Sequence, residues 1–400
     1  MGRKRRNPVV LFAAVILLSL AVLVPGSAQA AAKVLKVGIV LPLSGPISFV
    51  GVGLARAAEL YFDKVNDEGG LQLGADTYKI KAIVEDSKFD PVGAAAAAKK
   101  IVFKDEARIV IGEIQPAVSA AIYQVCESAK ALHVLAHIDA PGVPGDVSAK
   151  SKWAVRLNPT SDCNWPMNYD YVRKTYPQAK RIYMIFPPVD LPTEKAKKLA
   201  EEKGFTVTGQ VVFEGMTQDF LPYYSKALTT TPDVVQAANN AQAGFQVRTG
   251  RQLGFKGVFI SDSPLSPSII ANTAGPDYSY DILTNGIDVA HATPDMKDNM
   301  VRWAKKFKEP YFEDAPLMLG AMEALVEAIK KASSPEPEKI LAAFDSMTAP
   351  GSIQTCWGPA HMGGAKKYGV NRVLARPVPM TRIMKSGIEF IGFNTPNVEE

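Results

Sequence analysis

Two rounds of one alternation, a short apolar run followed by an amphipathic stretch, dominate this 400-residue chain. Strands that apolar cannot face water, so the pattern calls for parallel sheets covered by helices on both faces. In the first round VLKVGIVL (34–41) reads as a buried strand. Leu54, Ala57, Ala58, Tyr61, Phe62 and Val65 then recur at helical spacing and predict a helix over 51–66, ended by Gly69-Gly70. YKIKAIVE (78–85), RIVIG (108–112) and LHVLA (132–136) read as further strands. Asp90-Pro91 opens a helix through AAAAAKKIVF, and another is expected at 117–130. The second round has strands RIYMIF (181–186), FTVTGQVVF (205–213), DVVQA (233–237) and GVFIS (257–261), with helices at 193–203, 218–228 and 240–253. Helices at 295–308, 316–332 and 336–346 follow, and a strand pair turning at Lys385-Ser386-Gly387 ends the chain. The fold class is α/β, with two lobes meeting around 145–160. Each lobe offers the carboxyl ends of parallel strands to a shared cleft, a geometry suited to a small ligand gripped by hinge closure.

The charge is uneven. The net +5 comes from 45 basic and 40 acidic residues, and Arg3, Lys4, Arg5 and Arg6 lie in the first ten. Beyond residue 30 the count is 41 basic against 40 acidic, so nothing argues for a nucleic-acid surface. Val9 to Val24 is apolar except for Ser19, Pro25-Gly26 breaks it, and Ala28-Gln29-Ala30 offers a small-x-small cleavage site. This is the layout of a secretory signal peptide over residues 1–30. Sixteen residues make about 24 Å of helix, shorter than a hydrocarbon core of roughly 30 Å, which favours cleavage over an uncleaved anchor. The cleavage site has no neighbouring Cys, as a lipoprotein would need. The mature chain is expected to start near Ala31 and to be exported.

Signatures of catalysis fail in turn. GVGLAR (51–56) has Arg56 where a dinucleotide fingerprint needs its third glycine, and it starts ten residues beyond the strand. No G-x-x-x-x-G-K-[ST] and no G-x-S-x-G is present. His133 and His137 are four apart on a strand, roughly 13 Å, too far to share a metal. His133 reads as half-buried packing. Cys126 reads as a buried apolar residue, and Cys163–Cys356 is a candidate bridge near the lobe crossing; an odd count leaves at least one thiol free. No catalytic residue, metal site or cofactor is expected.

The order of segments resembles the periplasmic solute-binding proteins of branched-chain amino acid type ABC transporters, the leucine/isoleucine/valine-binding family. KVGIVLPLSGPISFVGVGLARAAELYFDKVNDEGGL, VEDSKFDPVGAAAAAKKIV and RIVIG followed by a helix carry the resemblance in the first half. WAVRLNPTSD, QLGFKGVFISD and YGVNRVLARPVPMTRIMKSG continue it, so that it spans about Lys33 to Ile391. The resemblance implies a type I periplasmic binding fold: two Rossmann-like lobes with parallel central sheets joined by a three-crossover hinge. It also implies a small-molecule ligand, delivery to an ABC transporter permease in the inner membrane, a monomer in the periplasm, and no catalysis. Mapped here, the N-terminal lobe is 33–152 plus 288–365 and the C-terminal lobe 153–287 plus 366–400.

Candidate ligand contacts follow position by position. Phe49 stands where the family often has an aromatic wall, and either faces the cleft or packs. In the second loop Gln115 and Ala117 flank Pro116, which stands where amino acid binders have a Ser and has no N–H to donate. The N–H groups at that helix start are expected to be free for an anion. His137 and Asp139 occupy the third loop, where Ala140 replaces the family's Thr; Asp139 either accepts from a ligand or stabilises a turn. From the second lobe come Trp165, Asn239, Asn240 and Asp262, with Ser263 near the family's Glu. An ammonium buried without a paired carboxylate costs several kcal/mol. The changes at Pro116, Ala140 and Ser263 therefore point away from an aliphatic amino acid. Phe49, Trp165 and Trp357 favour a flat or aromatic ligand bearing a carboxylate, amide or hydroxyl. The competing functions are a ligand-sensing protein and a hydrolase using the cleft.

Overall fold

The structure, a computed structural model, describes residues 1–2, 32–45, 47–136, 146–187, 193–214, 217–237, 242–261 and 266–399. The leader lies outside them. The first round of alternation builds β1 (Lys33–Leu41), α1 (Ser48–Asp67), β2 (Leu71–Leu73), β3 (Asp76–Asp86), α2 (Pro91–Lys99), β4 (Ile109–Ile111), α3 (Pro116–Ala129), β5 (Leu132–Leu135) and β6 (Ala154–Arg156). The chain then crosses to α4 (Ser161–Thr175), β7 (Arg181–Phe186), α5 (Thr193–Glu202), β8 (Thr206–Val212), α6 (Leu221–Leu228) and β9 (Val234–Gln236). That second lobe continues with α7 (Ala243–Gln252), β10 (Val258–Ser261), α8 (Pro267–Ala274) and β11 (Ile282–Thr284). A return crossing leads to α9 (Pro294–Phe307), α10 (Ala315–Ala332), α11 (Pro337–Ser346), β12 (Ile353–Thr355), β13 (Gly358–Gly363), α12 (Ala365–Tyr368) and β14 (Val373–Ala375). The third crossing delivers β15 (Val378–Met384) and β16 (Gly387–Asn394) to the second sheet.

The first sheet runs β12-β13-β14-β6-β5-β4-β1-β3-β2 and the second β16-β15-β11-β10-β9-β7-β8. Their central strands pair in parallel, as the apolar runs require; β2, β12, β13, β15 and β16 add antiparallel pairs at the edges. Helices cover both faces of each sheet and enclose apolar cores on either side. Local chemistry explains the starts. Asp90 caps α2 by accepting from the N–H of Val92 at 2.8 Å and of Gly93 at 2.9 Å, with Pro91 in the first turn. Gly112, just after β4, has φ +147° and would place a Cβ 2.2 Å from the Val40 carbonyl oxygen, so only glycine fits there.

The lobe boundaries move from where the sequence placed them. Both β6 and β14 belong to the first sheet, so the first crossing follows Arg156 rather than residue 152, and the third follows Ala375 rather than residue 365. Strands of three residues are too short to show a period. The last residues also depart from the C-terminal lobe. Val398 is buried in the first lobe's core, and the Glu399 carboxylate accepts from the N–H groups of Gly364 and Lys366 at the start of α12. Among the described residues no helix is long and apolar enough to cross a membrane.

One core group carries a pH signature. Glu323, in the middle of α10, is buried and accepts from the Cys356 N–H. Burial pushes its carboxyl up to about 7, with Asp295 adding to the rise while the Cys356 N–H and Lys64 oppose it. The native state therefore prefers the protonated acid, and stability falls as pH climbs from the unfolded-state value near 4.5 through 7. Glu323→Gln keeps the acceptor and removes the charge. It should stabilise the protein at pH 8 by about 2–3 kcal/mol and change little at pH 4.5, read from denaturant midpoints at the two pH values.

Candidate ligand-binding cleft

The cleft is expected at the carboxyl ends of β1, β4 and β5 in one lobe and of β7, β9 and β10 in the other; of the loops that follow them, those after β1 and β4 are described except for Pro46. The first is set by Asp86 at the end of β3. Its carboxylate accepts from the Leu43 N–H and the Lys88 N–H, both at 2.8 Å, and from the Ser44 hydroxyl at 2.6 Å. Burial alone would raise its pKa, but these donors hold it below the ordinary carboxylate value. Phe49 follows in the first turn of α1 and is 60% exposed, so it is not a core residue.

The second loop brings a carboxylate of the chain just ahead of the helix start. Glu113, fully buried after β4, accepts from the Ile114 N–H at 2.7 Å and the Gln115 N–H at 2.9 Å. Its other oxygen accepts from the Ser87 hydroxyl at 2.7 Å. A carboxylate of the chain thus takes the two backbone donors that precede the helix start, not those of the helix start itself. Pro116 brings none, and the N–H groups of Ala117 and Val118 are left as those without an intrahelical acceptor. Gln115 is half-buried and Ala117 exposed at the helix start. Nothing marked Glu113 in the sequence beyond an acid directly after an apolar strand.

His137, Asp139, Asn239, Asn240 and Asp262 lie outside the described residues, as do Ala140 and Ser263. Trp165 is fully buried in α4, stacked on Phe186 with centroids 5.3 Å apart and planes 7° from parallel. It packs inside the second lobe at the carboxyl end of β7. Trp357 is also buried and donates to the Pro316 carbonyl at 3.0 Å. His133 is not half-buried but fully enclosed; its Nε2–H donates to the Gly112 carbonyl at 2.6 Å, and burial lowers its pKa to about 4. At the carboxyl end of β9, Gln236 accepts from the Tyr169 hydroxyl while its buried amide nitrogen has no partner among the described residues, and no motif signalled it. The three cysteines are free and buried. Cys163 lies against Asp162 and the Tyr368 hydroxyl while Cys356 donates to the Pro316 carbonyl, so the candidate bridge does not form. Among the described residues no group of side chains could hold a metal.

The floor of the cleft is its three crossings, and they are rich in buried polar groups. At the first, Arg156 closes β6 and pairs with Asp146 and, at 3.9 Å, with Asp162 in the first turn of α4. Asp162 is fully enclosed and accepts from the Tyr368 hydroxyl at 2.6 Å and the Thr160 hydroxyl at 2.6 Å, with the Lys367 ammonium at 3.1 Å and that of Lys195 at 3.4 Å. Burial alone would raise its pKa; Arg156, Lys367 and Lys195 hold it far below the usual range. Asp162 belongs to the second lobe, and Arg156, Lys367 and Tyr368 to the first, so the cluster ties the lobes together. At the rim, the Ser266 N–H ahead of α8 donates to Glu313 ahead of α10 at 2.8 Å, a second bond between lobes. Asp162→Ala leaves Lys367 without its carboxylate and Arg156 with Asp146 alone, and should cost about 3–5 kcal/mol in urea unfolding. Lys195→Ala, removing a partly exposed partner, should cost less than about 1 kcal/mol.

A sequence profile of the periplasmic binding protein family matches residues 34–387. Leu/Ile/Val-binding protein homolog 1 from Brucella suis is 26% identical over 319 residues, covering 77% of this chain and 81% of that one. Two solved structures share the fold. The branched-chain amino acid substrate-binding protein from Streptococcus pneumoniae, in complex with isoleucine, has a TM-score of 0.71 at 15% identity and covers 91% of this chain and 100% of its own. An ABC transporter solute-binding protein from R. palustris, in complex with 4-hydroxybenzoate, has a TM-score of 0.71 at 16% identity, covering 92% and 98%. At such identities the two structures speak to fold alone. The profile, which spans both lobes and all three crossings, settles the matter of kinship: the chain belongs to the periplasmic binding protein family.

Proposed function

We propose that this protein is the extracytoplasmic solute-binding component of an ABC importer, closing its lobes on a small molecule and releasing it unchanged to a permease in the inner membrane. The observation that carries the reading is the pair of parallel sheets joined by three crossings, within a chain of this family. Export through the leader fits it, as does a monomer without nucleic-acid affinity. The thiols fit it too. Burial raises all three, Cys163 to about 12, which removes the thiolate a nucleophile needs.

The ligand we infer is an aromatic or carboxylate- or amide-bearing compound, not an aliphatic amino acid. The reading rests on Pro116, Ala140 and Ser263, and on Glu113, which occupies donors in the loop where amino acid binders hold the ligand carboxylate. The fold suits both classes, since relatives of equal structural similarity hold isoleucine and 4-hydroxybenzoate. Calorimetric titration of the purified protein with leucine, valine and a set of aromatic acids and amides tests it, with mass spectrometry of the ligand recovered afterwards. The expected result is one-to-one binding of an aromatic compound, recovered intact, with leucine and valine at least 100-fold weaker. Tight leucine binding would overturn the ligand class, and a chemically altered ligand would overturn the transport reading.

A further inference from the structure

Two arginines stand buried at the floor of the cleft, and they are balanced differently. Arg156 has Asp146 and Asp162 as counter-ions. Arg376, the residue after β14 at the third crossing, is 3% exposed and has no carboxylate within ion-pair distance among the described residues. Its Nε–H donates to the Asn158 Oδ1 at 2.7 Å and its Nη1–H to the Pro377 carbonyl at 2.7 Å. The guanidinium carbon lies 4.4 Å from the centroid of the Trp357 ring. The other terminal nitrogen, Nη2, has no acceptor among the described residues. Glu323, held by the Cys356 N–H, neighbours Cys356 and is not an ion-pair partner of Arg376.

The placement gives this imbalance a meaning. Asn158 lies on the first crossing, two residues past β6. Its amide also donates to the carbonyl of Ala136, the last described residue after β5, and to that of Leu317 in the first turn of α10, at 3.3 Å. Arg376 thus stands where the first crossing, the third crossing and the carboxyl edge of the first sheet converge. A third buried arginine shows the contrast. Arg251, in α7, gives its terminal nitrogens to the carbonyls of Phe255, Gly257 and Tyr280, and its ring neighbour Tyr280 is 3.9 Å away. There both terminal nitrogens meet carbonyls and only the Nε–H lacks a partner among the described residues; at Arg376 it is a terminal nitrogen that is left open.

We propose that Arg376 is the residue that reads the ligand's charge, its open guanidinium edge receiving a carboxylate presented to the cleft floor. A buried cation without a counter-ion is expensive, and an anionic ligand supplies the missing partner at the moment the lobes close. Burial already depresses the guanidinium to about 9, against the opposing pull of Cys356, which shows how poorly the surroundings compensate it. Planar, two-pronged recognition of a carboxylate is the chemistry arginine supplies and lysine does not. The inference rests on the binding reading above and narrows it to acids over their amides.

The test compares 4-hydroxybenzoate with 4-hydroxybenzamide, two probes of one shape and different charge, by calorimetry on wild type, Arg376→Gln and Arg376→Lys. Wild type should bind the acid at least 100-fold more tightly than the amide. Arg376→Gln should lose most of the acid affinity while the amide changes less than about threefold; a merely structural role would weaken both alike. If the Gln variant fails to fold, Arg376→Lys decides, with at least a fivefold loss for the acid expected because the fork is gone. Unchanged acid affinity in either variant, or equal losses for acid and amide, overturns the proposal. So does a wild type that ignores 4-hydroxybenzoate; if a neutral solute binds in its place, the binding reading survives alone, and if no solute in a broad thermal-shift screen raises the melting temperature, both fall.

Discussion

Three strands of chain pass between two sheets, and the structure depends on how the polar groups at those passages are neutralised. Water is largely excluded there, so each backbone carbonyl and each charge needs an internal partner. Asp162 does the most. It draws Arg156, Lys367, Tyr368 and Thr160 onto one carboxylate and so joins the first turn of α4 to the opposite lobe. Asn158 and Arg376 bind the first crossing to the third, while Asn285 binds Asn168 and the Pro379 carbonyl beside the second. A hinge made this way bends where side chains are few and stays rigid where they are bonded. The last residues extend the arrangement. Glu399 caps α12, the short helix that carries Lys367 and Tyr368, so the end of the chain supports the groups that hold Asp162.

Most of the architecture was legible in the sequence because buried parallel strands leave a strong trace. The apolar runs at 34–41 and 181–186 correspond to β1 and β7 almost residue for residue. The helices expected after residue 294 are present too, and α9, α10 and α11 begin and end within a residue of expectation. What escaped was short or local. β6 and β14 have three residues each, and β14 sits in a polar, glycine-containing stretch, so neither announced which sheet it joins. The return of Val398 to the first lobe follows from a fit between a valine and a core, which no periodicity encodes.

The site was less legible, and the reason is physical. A ligand pocket is assembled from loops after strands, where side chains are chosen for a partner and not for a period. Phe49, placed in a loop, lies in the first turn of α1, and Trp165 serves the interior, because an aromatic ring at the carboxyl end of β7 finds Phe186 before it finds solvent. Glu113, Gln236 and Arg376 carried no motif. Each is a lone polar residue beside an apolar strand, and only its burial shows that it answers to something. In Glu113 that something is the chain itself, since the carboxylate closes on the N–H groups of Ile114 and Gln115.

The central claim is mechanical: the lobes approach each other when a solute occupies the space between them. Small-angle X-ray scattering of the purified protein, with and without a bound aromatic acid at saturation, measures this directly. Lobe closure gives a smaller radius of gyration and a shorter maximum dimension in the bound sample. Identical profiles, with binding verified in the same solution, would contradict it.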